Sequence, residues 1–253
     1  MKTMGFERIR VLRHLFGGST DTSYAAMEGK ASNWQSEAEL RSILHALQEH
    51  EMADYPLDAL SMAVIDTETT GFYPNQDHLL SIGAVQLDVP NGQEHPTFHT
   101  YVKLPKDYLI PDVVTDLTGI TEETVKDAPD LGSALQSFLQ FVGDRILVAH
   151  HAAHDIRFLN VGLRKSWGVE LDHHILDTGK IAMILHDFKK YPSLDVLLSL
   201  YGVVTSDRHT ALGDAMMTAK IMTTQVALLQ EKGLTKLGHL WEWLVVLEHE
   251  RKL

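Results

Sequence analysis

The stretch Met62-Ala63-Val64-Ile65-Asp66-Thr67-Glu68-Thr69-Thr70-Gly71 decides how the rest of the chain is read. Four apolar residues run into two carboxylates separated by one residue, and a glycine follows. A short apolar run ended by a turn residue reads as a buried strand. Side chains two apart on a strand face the same side, so Asp66 and Glu68 stand together where the strand leaves the core. Carboxylates at that separation repel, and the pairing favours a hard cation or acid–base work. By itself an Asp-x-Glu at a strand end also fits a solvated sheet edge.

Working outward, LSMAVID (60–66), LLSIGAVQLD (79–88) and TFHTYVKL (97–104) read as three neighbouring strands forming a meander. Beyond them IPDVVTDLTGITEETV (110–125) reads as a short helix and loop, ALQSFLQFVG (134–143) as a helix and ILVAH (146–150) as a short buried strand. AAHDIRFLNVGLRKSW (152–167) is helical and HHILDT (173–178) is a last strand. Helices at 178–188, 193–202, 211–233 and 237–252 complete the chain. The order βββαβα, then βα and further helices, predicts an α/β fold: a mixed sheet flanked by helices.

Residues 1–57 read as a helical N-terminal extension and 58–253 as the main domain. The extension holds a basic amphipathic stretch from Phe6 to Phe16, a loop-like GGSTDTS, and a helix signalled by Ser36 with Glu39 three positions on. It serves either as a packing arm or as a docking element. The 253 residues, 44% hydrophobic, suffice for one substantial core. No apolar run approaches a membrane span, and charges interrupt the first residues, so a cytoplasmic protein with no membrane partner is expected. There is no cysteine, which excludes disulfides, thiolate metal sites and cysteine nucleophiles. Any metal must sit on oxygen or imidazole. The net charge of -12 argues against a long basic groove for nucleic acid and is tolerable only with a short grip on a strand end, where bound cations supply positive charge.

Two further clusters carry chemistry. In VAHHAAHDIRFL (148–159), Asp155 lies just inside a helix that follows a buried strand, where ligands of α/β folds collect. An acidic residue in a first helical turn is also simply favoured by the helix dipole. His150 and His154, four apart, offer a rival zinc clasp on a helical face, with no third-ligand motif to complete it. In RHTALGDA (208–215), His209 is expected in the loop before a long helix and Asp214 in its first turns. A loop histidine beside a metal site can take a proton near neutral pH, although most loop histidines are only surface. The run Leu240 to Leu247 either packs on its own domain or docks a partner.

Taken together, Asp-x-Glu in IDTETTG, LTGIT (117–121), the VAH-to-FL segment around Asp155, and HTALGDAMMTA with its His-x4-Asp spacing resemble the DEDDh (DnaQ-like) 3′-to-5′ exonucleases. That family includes the epsilon proofreading subunit of bacterial DNA polymerase III. The resemblance spans about 62–230 and also takes in Asp177-Thr178 and SLDVLLSLYGV (193–203). It implies a ribonuclease H-like sheet, metal ligands at Asp66, Glu68, Asp155 and Asp214, and a general base at His209. It further implies that the backbone near Thr69 and Thr70, with Leu117 and Thr118, holds the terminal nucleotide. His151 stands where the family commonly has Asn, and His154 where it commonly has Phe, which bears on how the penultimate nucleotide is cradled. The implied reaction uses two divalent cations, Mg2+ or Mn2+, to release nucleoside 5′-monophosphates from the 3′ end of single-stranded DNA. An RNA or short-oligonucleotide exonuclease would use the same site, and a non-catalytic polymerase-associated module is the rival from another class. A DNA polymerase is the implied partner, with any proofreading in trans.

Overall fold

A computed structural model describes residues 52–88 and 96–250 of the chain. The expected helix after Ser36 and the amphipathic stretch before it lie outside the described residues. From Asp54 onward the chain forms one compact unit.

The meander forms as the apolar, β-branched-rich runs predict. β1 (Ser61–Thr69) pairs antiparallel with β2 (Leu79–Asp88), and β2 pairs antiparallel with β3 (Thr97–Tyr101). On the other side of β1 lie β4 (Ile146–Ala149) and then β5 (Ile175–Asp177), both parallel to their neighbours. The sheet order is therefore β3-β2-β1-β4-β5, which puts β1 in the centre. Burial along β1 is nearly continuous from Met62 to Ile65, as a strand covered on both faces requires.

The helices divide between the two faces. α3 (Leu131–Val142) and α4 (Ala153–Trp167) pack on each other and on β1, β2 and β3. The core they close contains Ala63, Ile65, Leu135, Phe138, Phe158 and Leu159. α7 (Ala211–Glu231) crosses β1 and β2 and meets α5 (Thr178–His186) and α6 (Leu194–Leu200). A second core joins Ala182, Leu194, Leu197, Met217 and Ile221 there. Because Ala63 and Ile65 face the α3–α4 layer, strand alternation turns Met62, Val64, Asp66 and Glu68 to the α7 side and Thr67 to the α4 side. That parity organises the site.

The remaining helices are α1 (Asp112–Thr118), α2 (Glu122–Val125) and α8 (Leu237–Glu250). Leu57 donates to the carbonyl of Thr235 and Leu237 to that of Tyr55, so the chain entering the domain is tied to the start of α8. Of the run from Leu240 to Leu247, Leu240 is fully buried while Trp243, Val245 and Val246 are exposed. No helix of the described residues is long and apolar enough to cross a membrane.

Candidate active site

Asp66 and Glu68 occupy the last part of β1, where the strand runs out of the core. Asp214 reaches them from the first turn of α7. One carboxylate oxygen from each of the three lies within 4.8 Å of the others. The approach depends on a missing side chain. Gly83 is the register partner of Asp66, and a Cβ there would lie 2.3 Å from the carbonyl carbon of Ala211. Glycine lets the start of α7 press against the sheet. The turn ahead of α7 is equally tight, since Thr210 Oγ1 accepts from the amide of Gly213 at 3.1 Å and donates to the carbonyl of Asp207 at 2.7 Å.

Asp155 comes from the opposite layer. It sits in the first turn of α4, is 3% exposed, and accepts a 2.7 Å hydrogen bond from Thr67 Oγ1. It therefore stands behind the strand rather than within the group of three, close enough for its charge to act on both Asp66 and Glu68. His209 lies in the turn before α7, as its spacing predicts, with a left-handed φ of 59°.

The charges are stressed. Burial, then the charges of Asp155, Glu68 and Asp214, push the Asp66 carboxyl well above its ordinary range. Burial and the same kind of repulsion, led by Asp214, raise Glu68 to about 7. Asp155 is also raised to about 7 by burial, against the opposing hydrogen bond from Thr67. Arg208, which the sequence reading passed over, counters this: its guanidinium donates to Asp214 Oδ2 and lowers both Asp66 and Glu68. The other oxygen, Asp214 Oδ1, is buried and has no hydrogen-bond partner. A buried carboxylate oxygen left bare beside two further carboxylates is what a hard divalent cation would satisfy, so the donor set fits Mg2+ or Mn2+.

The expected nucleotide-binding residues divide into two kinds. Thr70 is 3% exposed; its amide donates to the carbonyl of His78, and its hydroxyl accepts from the His78 amide and the Tyr108 phenol. Thr70 thus braces the β1–β2 turn and shapes the site from within. Thr118 is likewise engaged, donating to the carbonyl of Val114 and accepting from the amide of Ile120. Leu117, by contrast, is 56% exposed on α1, and Phe72 and Tyr73 after Gly71 are more exposed still. Thr69 Oγ1 lies 3.4 Å from His154 Nε2, and Phe72 meets the His154 ring edge-on at 6.1 Å. Burial lowers the His154 pKa, which keeps the ring neutral near pH 7.

His150 and His154 do not form the rival zinc clasp. α4 begins at Ala153, so His150 precedes the helix and cannot share its face, and its Nδ1 pairs with the Thr178 hydroxyl at 3.1 Å. His151 is exposed, with φ 63°, and its amide donates to the Tyr191 phenol. Tyr191 in turn donates to Asp177, which also accepts from the amides of Ala152, Gly179 and Lys180. Tyr191 and Asp177 thereby fix the turn that launches α4 and carries Asp155. Nothing in the spacing of residues 151, 177 and 191 advertised that network.

The comparisons with known proteins agree with this architecture. The family model described as Exonuclease (RNase_T) matches residues 63–222. The epsilon subunit of DNA polymerase III from Aquifex aeolicus is 35% identical over 172 residues, covering 68% of this chain and 82% of that protein. The PolC-type DNA polymerase III of Thermotoga maritima is 33% identical over 180 residues, which is 71% of this chain and only 13% of the polymerase. Among solved structures, Exonuclease X in complex with 5′ overhanging duplex DNA is 27% identical with a TM-score of 0.53, covering 69% of this chain and 95% of that one. The chain belongs to the DnaQ-like exonuclease family, carrying an exonuclease domain of ribonuclease H-like fold. It spans about an eighth of the length of the PolC-type relatives it matches.

Proposed function

We propose that this protein is a divalent-cation-dependent 3′-to-5′ exonuclease that removes nucleoside 5′-monophosphates one at a time from the 3′ end of single-stranded DNA. The observation that carries the reading is the convergence of Asp66, Glu68 and Asp214 within 4.8 Å, with Asp155 behind them and one oxygen of Asp214 bare. Asp66, Glu68, Asp155 and Asp214 are the ligands for two cations, Mg2+ or Mn2+. Bound there, the cations would polarise a water molecule and stabilise the departing 3′ oxygen.

The protein's own groups do the rest. His209, on the turn ahead of α7, accepts the proton of the attacking water. Water oxygen bonds to phosphorus as the P–O3′ bond breaks, leaving a 5′-monophosphate and a new 3′-hydroxyl on the shortened strand. Thr67 holds the Asp155 carboxylate in one orientation, which keeps it aimed without taking its free oxygen. The backbone near Thr69 and Thr70, with Leu117 and Thr118, lines the place of the last nucleotide, and His151, the neutral His154 and the exposed Phe72 lie where the penultimate one passes. DNA is favoured over RNA by the names of the relatives, and a DNA polymerase by the same relatives as the partner. The rival of a non-catalytic module loses ground because all five chemical positions are filled.

Digestion of 5′-labelled single-stranded DNA beside matched RNA tests the reading. Wild type with Mg2+ or Mn2+ gives a ladder shortening by one nucleotide from the 3′ end, faster on DNA. Asp66→Ala abolishes it while the fold persists by circular dichroism. Undiminished turnover in that variant contradicts the assignment.

A further inference from the structure

Arg208 is a largely buried charge that the proposed hydrolysis does not use. Its side chain is 21% exposed and forks between two carboxylates on different helices. One arm donates to Asp214 Oδ2 in the first turn of α7, and Nε donates to Asp195 Oδ1 in the first turn of α6 at 3.0 Å. The two partners differ in setting: the Asp214 side chain is 10% exposed and that of Asp195 is 68% exposed. Arg208 also lies between two residues with left-handed backbone, Asp207 at φ 50° and His209 at φ 59°, so the turn is cinched to present this side chain.

Three carboxylates with oxygens within 4.8 Å of one another repel, and positive charge among them offsets that repulsion. Arg208 supplies it from within the chain. It does so by occupying an oxygen of a residue that ligates the cation in the exonuclease reading, while the other oxygen of that residue is bare. A cation and a guanidinium at the same carboxylate repel, so the two compete.

We propose that Arg208 is a resident counter-ion of the cation site: it bridges Asp214 and Asp195 while no divalent cation is bound and yields Asp214 Oδ2 when one binds, so its charge sets the affinity for divalent cations. Asp195 keeps the released guanidinium tethered beside the site. The planar fork explains arginine rather than lysine here, since two acceptors on separate helices must be met at once. The inference rests on the exonuclease reading of the carboxylates and adds to it a residue that regulates cation occupancy.

Calorimetric titration of Mn2+ alone into the full chain, at an alkaline pH where the carboxylates are ionised, tests it. Arg208→Gln removes the competing charge and binds Mn2+ about tenfold tighter than wild type. Asp195→Asn leaves the Arg208 charge bearing on Asp214 alone and binds Mn2+ about threefold weaker. In EDTA the Arg208→Gln protein melts below wild type, because its carboxylates lose their counter-ion. A merely structural arginine would weaken Mn2+ binding in both variants. Arg208→Gln binding no tighter than wild type overturns the proposal; if that variant does not fold, Asp195→Asn binding as tightly as wild type overturns it. Absence of Mn2+ binding by wild type overturns both this inference and the exonuclease reading, whereas normal wild-type binding with no gain in Arg208→Gln overturns this inference alone.

Discussion

Asp66, Glu68 and Asp214 stand on β1 and α7, elements whose positions are fixed by buried residues on both sides of the sheet, whereas Phe72, Tyr73 and His151 stand on turns beside them and are exposed. The first region carries three of the four acidic residues the family resemblance implies, and the fourth, Asp155, is buried in the first turn of α4. The second carries a departure at His151, and the other departure, the half-buried His154, stands beside it in the first turn of α4. The difference teaches that, in the proposed exonuclease, hydrolysis would be tied to the core, where moving one residue moves a helix, while the grip on a strand would sit on residues at the rim that can change without disturbing the sheet.

The largest expected effect comes from attacking the fixed region where it is tightest. Gly83→Ala places a methyl group against the backbone of Ala211, so α7 must shift and Asp214 retreats from Asp66. A displacement of about 1 Å lowers kcat by about a hundredfold, and the added methyl destabilises the fold by about 1–3 kcal/mol. Steady-state kinetics with thermal melts measure both. Near-normal kcat would show that the close approach of α7 to the sheet is dispensable and would break the contrast between the two regions.

A smaller effect concerns pH in the cation-free protein. Burial first, then neighbouring carboxylates, raise Glu68 from its ordinary 4.5 to about 7. Asp155 rises to about 7 through burial. The folded state therefore keeps protons at pH values where the unfolded chain has released them. That contribution is full in acid and is lost as pH rises through the window from 4.5 to about 7. Calorimetry in EDTA should show the melting temperature falling across that window, and saturating Mn2+ should restore it at pH 7 by binding the folded form alone. A flat profile in EDTA would mean that the carboxylates are not stressed.

The smallest effect belongs to the rim. His154→Phe gives up the contact with Thr69 and keeps the ring against Phe72 and Phe158. Kinetics on single-stranded DNA should show KM changing by about two- to fivefold with kcat nearly constant, since substrate contacts of this kind act on binding. A large fall in kcat would move His154 from the rim into the reacting centre and sharpen the comparison against us.

Much of this architecture is legible in the sequence, for identifiable reasons. The apolar, β-branched-rich runs at 60–66, 79–88 and 97–104 specify the meander because short apolar runs bounded by turn residues belong to strands. The spacing of His209 and Asp214 places one before α7 and the other inside it, because five residues of helix would turn the two side chains apart, and the structure caps the helix between them at Thr210. What spacing could not supply is which layer each residue enters from. Asp155 arrives from the α4 side and meets Thr67, a consequence of strand parity and sheet order together. Arg208 was passed over because an arginine beside a His-x4-Asp motif reads as a flank until its two carboxylate partners are seen in space. The zinc alternative failed because the helix begins three residues after His150, a boundary that the histidine spacing does not reveal.

The central claim is that the carboxylates at the end of β1 hold the cations of an exonuclease, and anomalous diffraction from crystals grown with Mn2+ tests it most directly. The account predicts manganese bound by Asp66, Glu68 and Asp214, with Asp155 alongside and the Arg208 guanidinium withdrawn from Asp214. Manganese found elsewhere on the protein, with these four carboxylates unchanged at saturating concentration, would contradict it.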